Sequence, residues 1–580
     1  MAQNAPAQRL SYMSKNKMSV DTLYEIIRLK TIENLSSRKI AKKLGIGSKS
    51  TVNNFLAKKT YQDFWEDYKK PHASATVTRP EHRRKRLKGK RFLFMCAQNN
   101  TYIPENFWDA IQNFLETRDC ELVVGCSYYN KSAYRSIHQA TSKKEVHGDN
   151  GGGSNTWFDP KIKPYIKTSQ YVVADGLLWC GDINTSPTRA NPLSSLHNFT
   201  KKESAIFPHC KVRLESLPVH KDDQAKMLYT TGSITYPNFI ERVTGQIAEH
   251  HHIFGGLYVE IDDNGDWFAR HIQAESDTGC FYDLHEYFTP DGVIDCSGES
   301  VEAIHYGDLH VEVIDEQAAN ASFGLKRKRR DDGHCDFWCE ADNGNMLDVL
   351  RPKYQFCHDT SDFTPRNHHV IKDPHFRFKM YHENFDTVKG AMQECADCVA
   401  AMSRPFVETV VVESNHDLAF LKWLKNEDYK SDPPNAVFFL ESQLAVYQAI
   451  QRQDKDFNIF SHTMKKLNPL LNQNTVRFLN TDEPFYLFGA KTGIYCGWHG
   501  DRGANGSRGS IRNFTKVGMR VNIGHSHSCG IYDGVYQAGV LSEIPLPYAT
   551  GATSWSHSNI ITYANGKRAI ITIKNGKWRA

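Results

Sequence analysis

A series of short apolar runs, each ending in residues that bind metal, constrains the C-terminal half of this chain more than any other feature. In order they read "EAIHYGDLH" with Asp308 and His310, "QFCHD" with Asp359, and "TVVVESNHD" with Asn415 and His416. "YCGWHGD" with His499 and "RVNIGHSH" with His525 and His527 follow. Apolar runs of this length predict strands. Ligands placed just beyond strand ends sit where open α/β sheets build their sites. Carboxylate, amide and imidazole together suit a pair of hard-to-intermediate divalent ions. Two such ions about 3.5–4 Å apart clamp a phosphoryl group and lower the pKa of a water between them. The expected chemistry is therefore two-metal phosphoester hydrolysis.

The rest of the chain narrows the partner. Residues 14–90 carry 20 Lys and Arg against 7 Asp and Glu, whereas the whole 580-residue chain is only +5. A strongly basic arm thus precedes a mildly acidic body, which points to a polyanion, most simply nucleic acid. No apolar run reaches the ~18 residues of a membrane span. The opening "MAQNAPAQRLSYMSKNK" lacks a secretory apolar stretch, and 14 irregularly spaced cysteines do not outline a disulfide framework. The expected setting is cytoplasmic, with no membrane partner.

Residues 18–60 read as a small helical unit. "SVDTLYEIIRLKTIE" carries Leu23, Ile26, Ile27 and Ile32 at roughly helical spacing. Ser36 or Ser37 can cap a short helix with Ile40, Ala41 and Leu44 inward; Gly45 permits a turn, and Ser48 can cap a second helix with Val52, Phe55 and Leu56 inward. The pattern resembles a helix-turn-helix with a turn one residue longer than usual. Its second helix would enter the major groove, making Lys49, Ser50, Thr51, Asn53 and Asn54 the expected DNA contacts. A helical hairpin used for oligomer contacts is the alternative. Residues 61–90 read as a basic linker whose Arg83, Arg84, Lys85 and Arg86 can touch phosphates without reading sequence.

Residues 91–298 read as an α/β domain of unassigned role. Strands are expected at "RFLFMCA", "CELVVGCSYY", "YVVADGLLWCG", "MLYTTGSIT", "IFGGLYVEIDD" and "WFARHIQ", a helix over "PENFWDAIQNFLETRD" and a flexible loop at 148–155. His250, His251 and His252, in a strand-like context, point to opposite faces and make a poor metal site. Asp182 and His209 lack companions. Residues 299–580 are the expected catalytic domain. An insertion in it holds the basic run Lys326–Arg330, which either contacts a nucleic-acid backbone or is a solvated loop, and His334, Cys335 and Cys339, which lack a fourth zinc ligand. Cys395 and Cys398 read as helix residues.

The C-terminal series resembles the calcineurin-like metallophosphoesterase superfamily, whose pattern runs D-x-H, G-D-x-x-D/N, G-N-H-D/E, H, G-H-x-H. His358 and Ser414 replace two of its glycines. The resemblance implies one metal on Asp308, His310 and His527, a second on Asn415, His499 and His525, and Asp359 bridging both. It places His416 at the leaving oxygen, with Asp417 orienting it. It further implies in-line attack by a metal-bridging hydroxide, with Mn as the expected ion and Mg, Fe, Zn or Ni as alternatives, in a fold that often forms homo-oligomers. The full layout, including "AQN" at Ala97–Asn99, resembles phage-encoded DNA nucleases with an N-terminal helix-turn-helix, which would act in the host cytoplasm. The expected function is a metal-dependent DNA nuclease. The alternatives are a cytosolic nucleotide or RNA-end phosphodiesterase or phosphatase, and a DNA-binding regulator with a phosphoesterase scaffold.

Overall fold

A computed structural model describes residues 20–31, 33–57, 84–129, 157–220, 223–367, 370–473, 475–546 and 549–579. They fall into two units, Met1–Arg84 and Lys85–Ala580.

The first unit is built on three helices, Val20–Thr31, Ser37–Lys43 and Lys49–Leu56. Leu23, Ile26, Ile27 and Leu29 close over Ile40, Ala41, Val52 and Phe55 to form one small core. Gly45 turns the chain with φ +64°, a conformation that costs glycine nothing. The Ser48 side chain accepts from the Ser50 amide and caps the third helix. Ser36 stands at the corresponding position of the second helix but makes no such bond. Ile32 and residues 58–83, including Arg83 and most of the expected linker, lie outside the described residues.

The second unit is mixed α/β, and it corrects the division expected near residue 298. An eleven-stranded sheet takes strands from both sides of that position: Leu214–Leu217 pairs antiparallel with Gly530–Tyr532. Backbone edges from the two stretches satisfy one another, so no boundary separates them. The end of the expected linker is also drawn in, because Lys85–Arg86 pairs parallel with Gln170–Ala174. A four-stranded sheet holds Arg91–Gln98 between Glu121–Ser127 and Gly255–Ile261, with Trp267–Gln273 outside. The helix Glu105–Arg118 buries Phe107, Ala110, Ile111 and Phe114. His250 ends a helix, Val243–His250, rather than lying in a strand. Cys395 and Cys398 are buried in the helix Val388–Met402. The loop expected at 148–155 lies outside the described residues.

A six-stranded sheet organises the C-terminal motifs, in the order Val476–Leu479, Glu408–Val412, Tyr354–Cys357, Val301–His305, Ser558–Tyr563, Arg568–Thr572. The first four strands run parallel. Alternate residues serve opposite faces, as strand geometry dictates. Ile304, Cys357 and Val411 pack with the helices Glu316–Phe323, Val388–Met402 and Asp417–Asn426. Ala303, Phe356 and Val410 pack with Leu487 and Ile494 of the eleven-stranded sheet and with Cys496 just beyond it. Burial on both faces explains why these strands read as continuous apolar runs. The basic run Lys326–Arg330 is not a loop: Leu325–Arg329 forms a hairpin with Cys335–Cys339. No helix among the described residues is long and apolar enough to cross a membrane.

Candidate metal centre

Each expected ligand leaves the sheet at a strand end or on a turn that strand pairing fixes. Asp308 lies three residues past Val301–His305, its backbone held by the Gly539 carbonyl and the Leu541 amide. Asp359 follows Tyr354–Cys357 in a left-handed conformation, φ +40°. His310, His525 and His527 also have positive φ. Non-glycine residues take this conformation at a cost, and such positions cluster at functional sites. Gly524 is required for a separate reason: a Cβ there would lie 2.3 Å from the Asp308 Oδ1 atom.

These residues converge. Atoms of Asp308, His310, Asp359 and His527 lie within 4.8 Å of one another, as do those of Asp359, His499 and His525. The two groups share Asp359. Within the first, His310 Nε2 and His527 Nε2 are 3.0 Å apart, and His527 Nε2 is 3.3 Å from Asp308 Oδ2. Within the second, His499 Nε2 is 3.2 Å from Asp359 Oδ2, and Asn415 Oδ1 is 3.1 Å from His525 Nδ1. The His416 amide donates to Asp359 Oδ1 at 3.3 Å.

The polar atoms gathered here fit divalent cations better than they fit one another. Nδ1 of His499 and Nδ1 of His527 are buried without a hydrogen-bond partner, and the Asp308 oxygens make no well-aligned side-chain hydrogen bond. Native interiors rarely tolerate this, because each unsatisfied group costs roughly 1–3 kcal/mol. Burial pushes the Asp308 carboxyl up to about 7, and the charge of Asp359 adds to the effect. Burial also pulls the imidazoles of His525 and His527 downward, leaving them neutral, as metal ligation requires. Asp359 is held well below the usual carboxylate range: burial opposes this, but the charges of His499 and His416 outweigh it.

His416 stands at the edge of the cluster, its ring 4.8 Å from that of His310. Asp417, expected to orient His416, makes its hydrogen bonds elsewhere. Asp417 is buried and accepts from the Ser361 amide and the Ser414 hydroxyl, tying two loops together. Asp362 instead faces His416 Nδ1, through its carbonyl at 3.3 Å and its carboxylate at 3.7 Å. The same carboxylate lies 3.3 Å from His310 Nδ1. Asp362 was legible as the second aspartate of "HDTSD". Glu312, also unanticipated, accepts from the Ser361 hydroxyl and the amides of Asp362 and Phe363, so it shapes that loop. The departures at 358 and 414 are accommodated: His358 is buried with its ring 5.6 Å from that of His499, and Ser414 receives the Asp417 amide.

The remaining candidates lie elsewhere. Lys49, Ser50, Asn53 and Asn54 are exposed on the third helix of the first unit, and Thr51 is half-buried. Arg84, Lys85 and Arg86 are exposed, with Arg86 paired to Asp175. Asp182 accepts from Gln170, and buried His209 bonds the Ser186 carbonyl. His334 lies beside Glu394 rather than in a cysteine cage.

No family model matches the chain, and no solved structure matches it. It is 34% identical over 517 residues to protein A1 of Escherichia phage T5, an alignment covering 88% of this chain and 86% of that protein. Identity of that level across nearly the whole of both chains places this protein in the family of phage T5 protein A1.

Proposed function

We propose that this chain is a phage-encoded, metal-dependent DNA nuclease of the calcineurin-like metallophosphoesterase type, hydrolysing phosphodiester bonds with two divalent ions. The observation that carries the reading is the pair of ligand groups sharing Asp359, with His416 at their edge. Asp308, His310 and His527 would hold one ion, Asn415, His499 and His525 the other, and Asp359 both. Bound there, the ions supply electrostatic stabilisation of the phosphoryl group and an activated water. The protein's own part is orientation and proton handling. Asp362 holds the His416 ring through Nδ1 and gives a counter-charge to its protonated form, the form in which Nε2 also carries a proton and would donate to the departing oxygen. Asp417, Ser414 and Glu312 hold the two loops that carry this pair.

DNA is the substrate that the basic N-terminal unit suits, with Lys49, Ser50, Asn53 and Asn54 on its exposed helix face. Manganese is the proposed ion, and the host cytoplasm the proposed setting. The test incubates purified protein with closed-circular and linear DNA in Mn, Mg or chelator. The reading expects Mn-dependent cleavage that chelator abolishes and that Asp359→Ala and His416→Ala lose. Tight DNA binding with no cleavage under any metal would overturn it.

A further inference from the structure

A cavity beside the candidate metal centre plays no part in the account above. It has a volume of about 320 Å³ and lies behind Trp555, whose ring packs edge-on against that of His527 at 4.5 Å. Trp267 and Tyr229 supply further aromatic wall, with ring centroids 6.4 Å apart. Gln224, Gln317 and Asp223 line it as well.

We propose that this cavity takes a single nucleobase, turned out of the bound strand next to the scissile phosphate. Three features argue for a base. Flat aromatic walls stack on any base, a contact worth about 1–3 kcal/mol per base. Glutamine amides each offer donor and acceptor, and an aspartate accepts from an exocyclic amine, which together complement a base edge. The volume sits at the lower end of the ligand-pocket range of roughly 300–1,000 Å³, enough for one nucleoside but not for a base pair. Charge then sets the orientation. Among the described lining residues Asp223 (paired with Lys202 at 3.3 Å) and Asp315 stand against Lys574, which lies over the Trp267 ring, 4.9 Å from its centroid. A phosphate is unwelcome inside, so the base enters while its phosphate stays at the metal side of Trp555. Extruding a base costs a few kcal/mol, which stacking in such a pocket offsets.

The link to a scissile phosphate rests on the nuclease reading; the affinity of the cavity for a base does not. The experiment therefore uses full-length protein in chelator, titrated with 2-aminopurine 2′-deoxyriboside, whose fluorescence falls on stacking. Saturable quenching is expected, competed by deoxyadenosine, with dissociation constants at least fivefold weaker in Trp267→Leu and in Gln317→Ala. Two variants on different elements guard against misreading a folding defect, and thermal melts report on each. Absence of saturable quenching in the wild type, or equal affinity in both folded variants, would overturn the proposal. Hydrolysis of bis(p-nitrophenyl) phosphate, a diester without a base, separately tests the phosphodiesterase reading. Its failure with quenching intact would remove the nuclease assignment and leave the base site standing.

Discussion

Asp283 and Asp308 are both wholly buried aspartates in the same unit, yet their surroundings are opposites. Asp283 accepts four hydrogen bonds from two guanidinium groups, Arg270 through Nε and Nη2 and Arg118 through Nε and Nη2, at 2.6–3.0 Å. Its negative charge is neutralised inside the protein. Asp308 has no guanidinium or other permanently charged partner and stands among imidazoles and a second carboxylate. Charge burial therefore does not by itself identify a site. What separates a structural ion cluster from a ligand centre is whether the partners come from the chain.

The largest effects should come from the unsatisfied cluster, and they should appear in activity and metal content rather than in folding. Asp359→Ala removes the carboxylate common to both ligand groups. Nuclease activity should fall by about 10³-fold or more, the scale of losing a group that acts on the transition state. Metal content measured by emission spectroscopy should fall with it. Wild-type protein should melt higher in excess Mn, gaining about 2.7 kcal/mol at a hundredfold excess over Kd, and the variant should show no such gain. Asp283→Asn reverses the pattern. It leaves the buried Arg270 without its carboxylate, while Arg118 keeps Glu286, and costs about 3 kcal/mol in denaturant unfolding, while Mn still raises the melting temperature. If Asp283→Asn abolished metal stabilisation, the distinction between the two clusters would fail.

Acid offers a smaller test of the same contrast. Burial alone would raise the Asp283 carboxyl, but the Arg270 charge and hydrogen bonds, joined by Arg118, hold it at about 2 against an ordinary 3.8. A depressed carboxylate contributes stability above its unfolded pKa and loses it as pH falls through the folded one. The loss should amount to about 2.5 kcal/mol, beginning near pH 5 and completing below about pH 2. Equilibrium unfolding of wild type and Asp283→Asn across that range should draw closer by that amount at the acid end. A constant difference between them would rule out Asp283 as the titrating group.

The comparison also shows what could be read from residue order. Three of the parallel strands of the six-stranded sheet, Val301–His305, Tyr354–Cys357 and Glu408–Val412, were legible because burial on both faces makes each a largely apolar run with candidate ligands after it, whereas Val476–Leu479, with an exposed Arg477 and no ligand beyond it, was not. The hairpin Leu325–Arg329 was not legible, since "LKRKR" is largely polar and its partner strand alternates exposed and half-buried residues. The pairing of Leu214–Leu217 with Gly530–Tyr532 leaves no trace in either segment, because backbone groups carry it across more than 300 residues. At the candidate site, residue type and spacing pointed to side chains that the fold brings together. The assignment of the His416 partner failed on geometry: Asp417 is adjacent in sequence but opens a helix and faces Ser414 and Ser361, while Asp362 reaches His416 from another loop.

The smallest prediction carries the contrast between satisfied and unsatisfied groups into the first unit. Ser36 and Ser48 occupy equivalent positions before successive helices, and both have extended backbone angles. Only Ser48 turns its hydroxyl onto a free amide, that of Ser50, at 3.0 Å. A helix start leaves its first amides without partners, and a side-chain cap supplies one. Ser48→Ala should therefore cost about 1 kcal/mol of this unit's stability, whereas Ser36→Ala should change it by no more than a few tenths. Hydrogen exchange at the amides of the helix Lys49–Leu56 measures the difference directly. Equal acceleration in the two variants would mean that the Ser48 bond adds nothing beyond what solvent supplies, and that residue type alone, rather than the bond, had set the helix start.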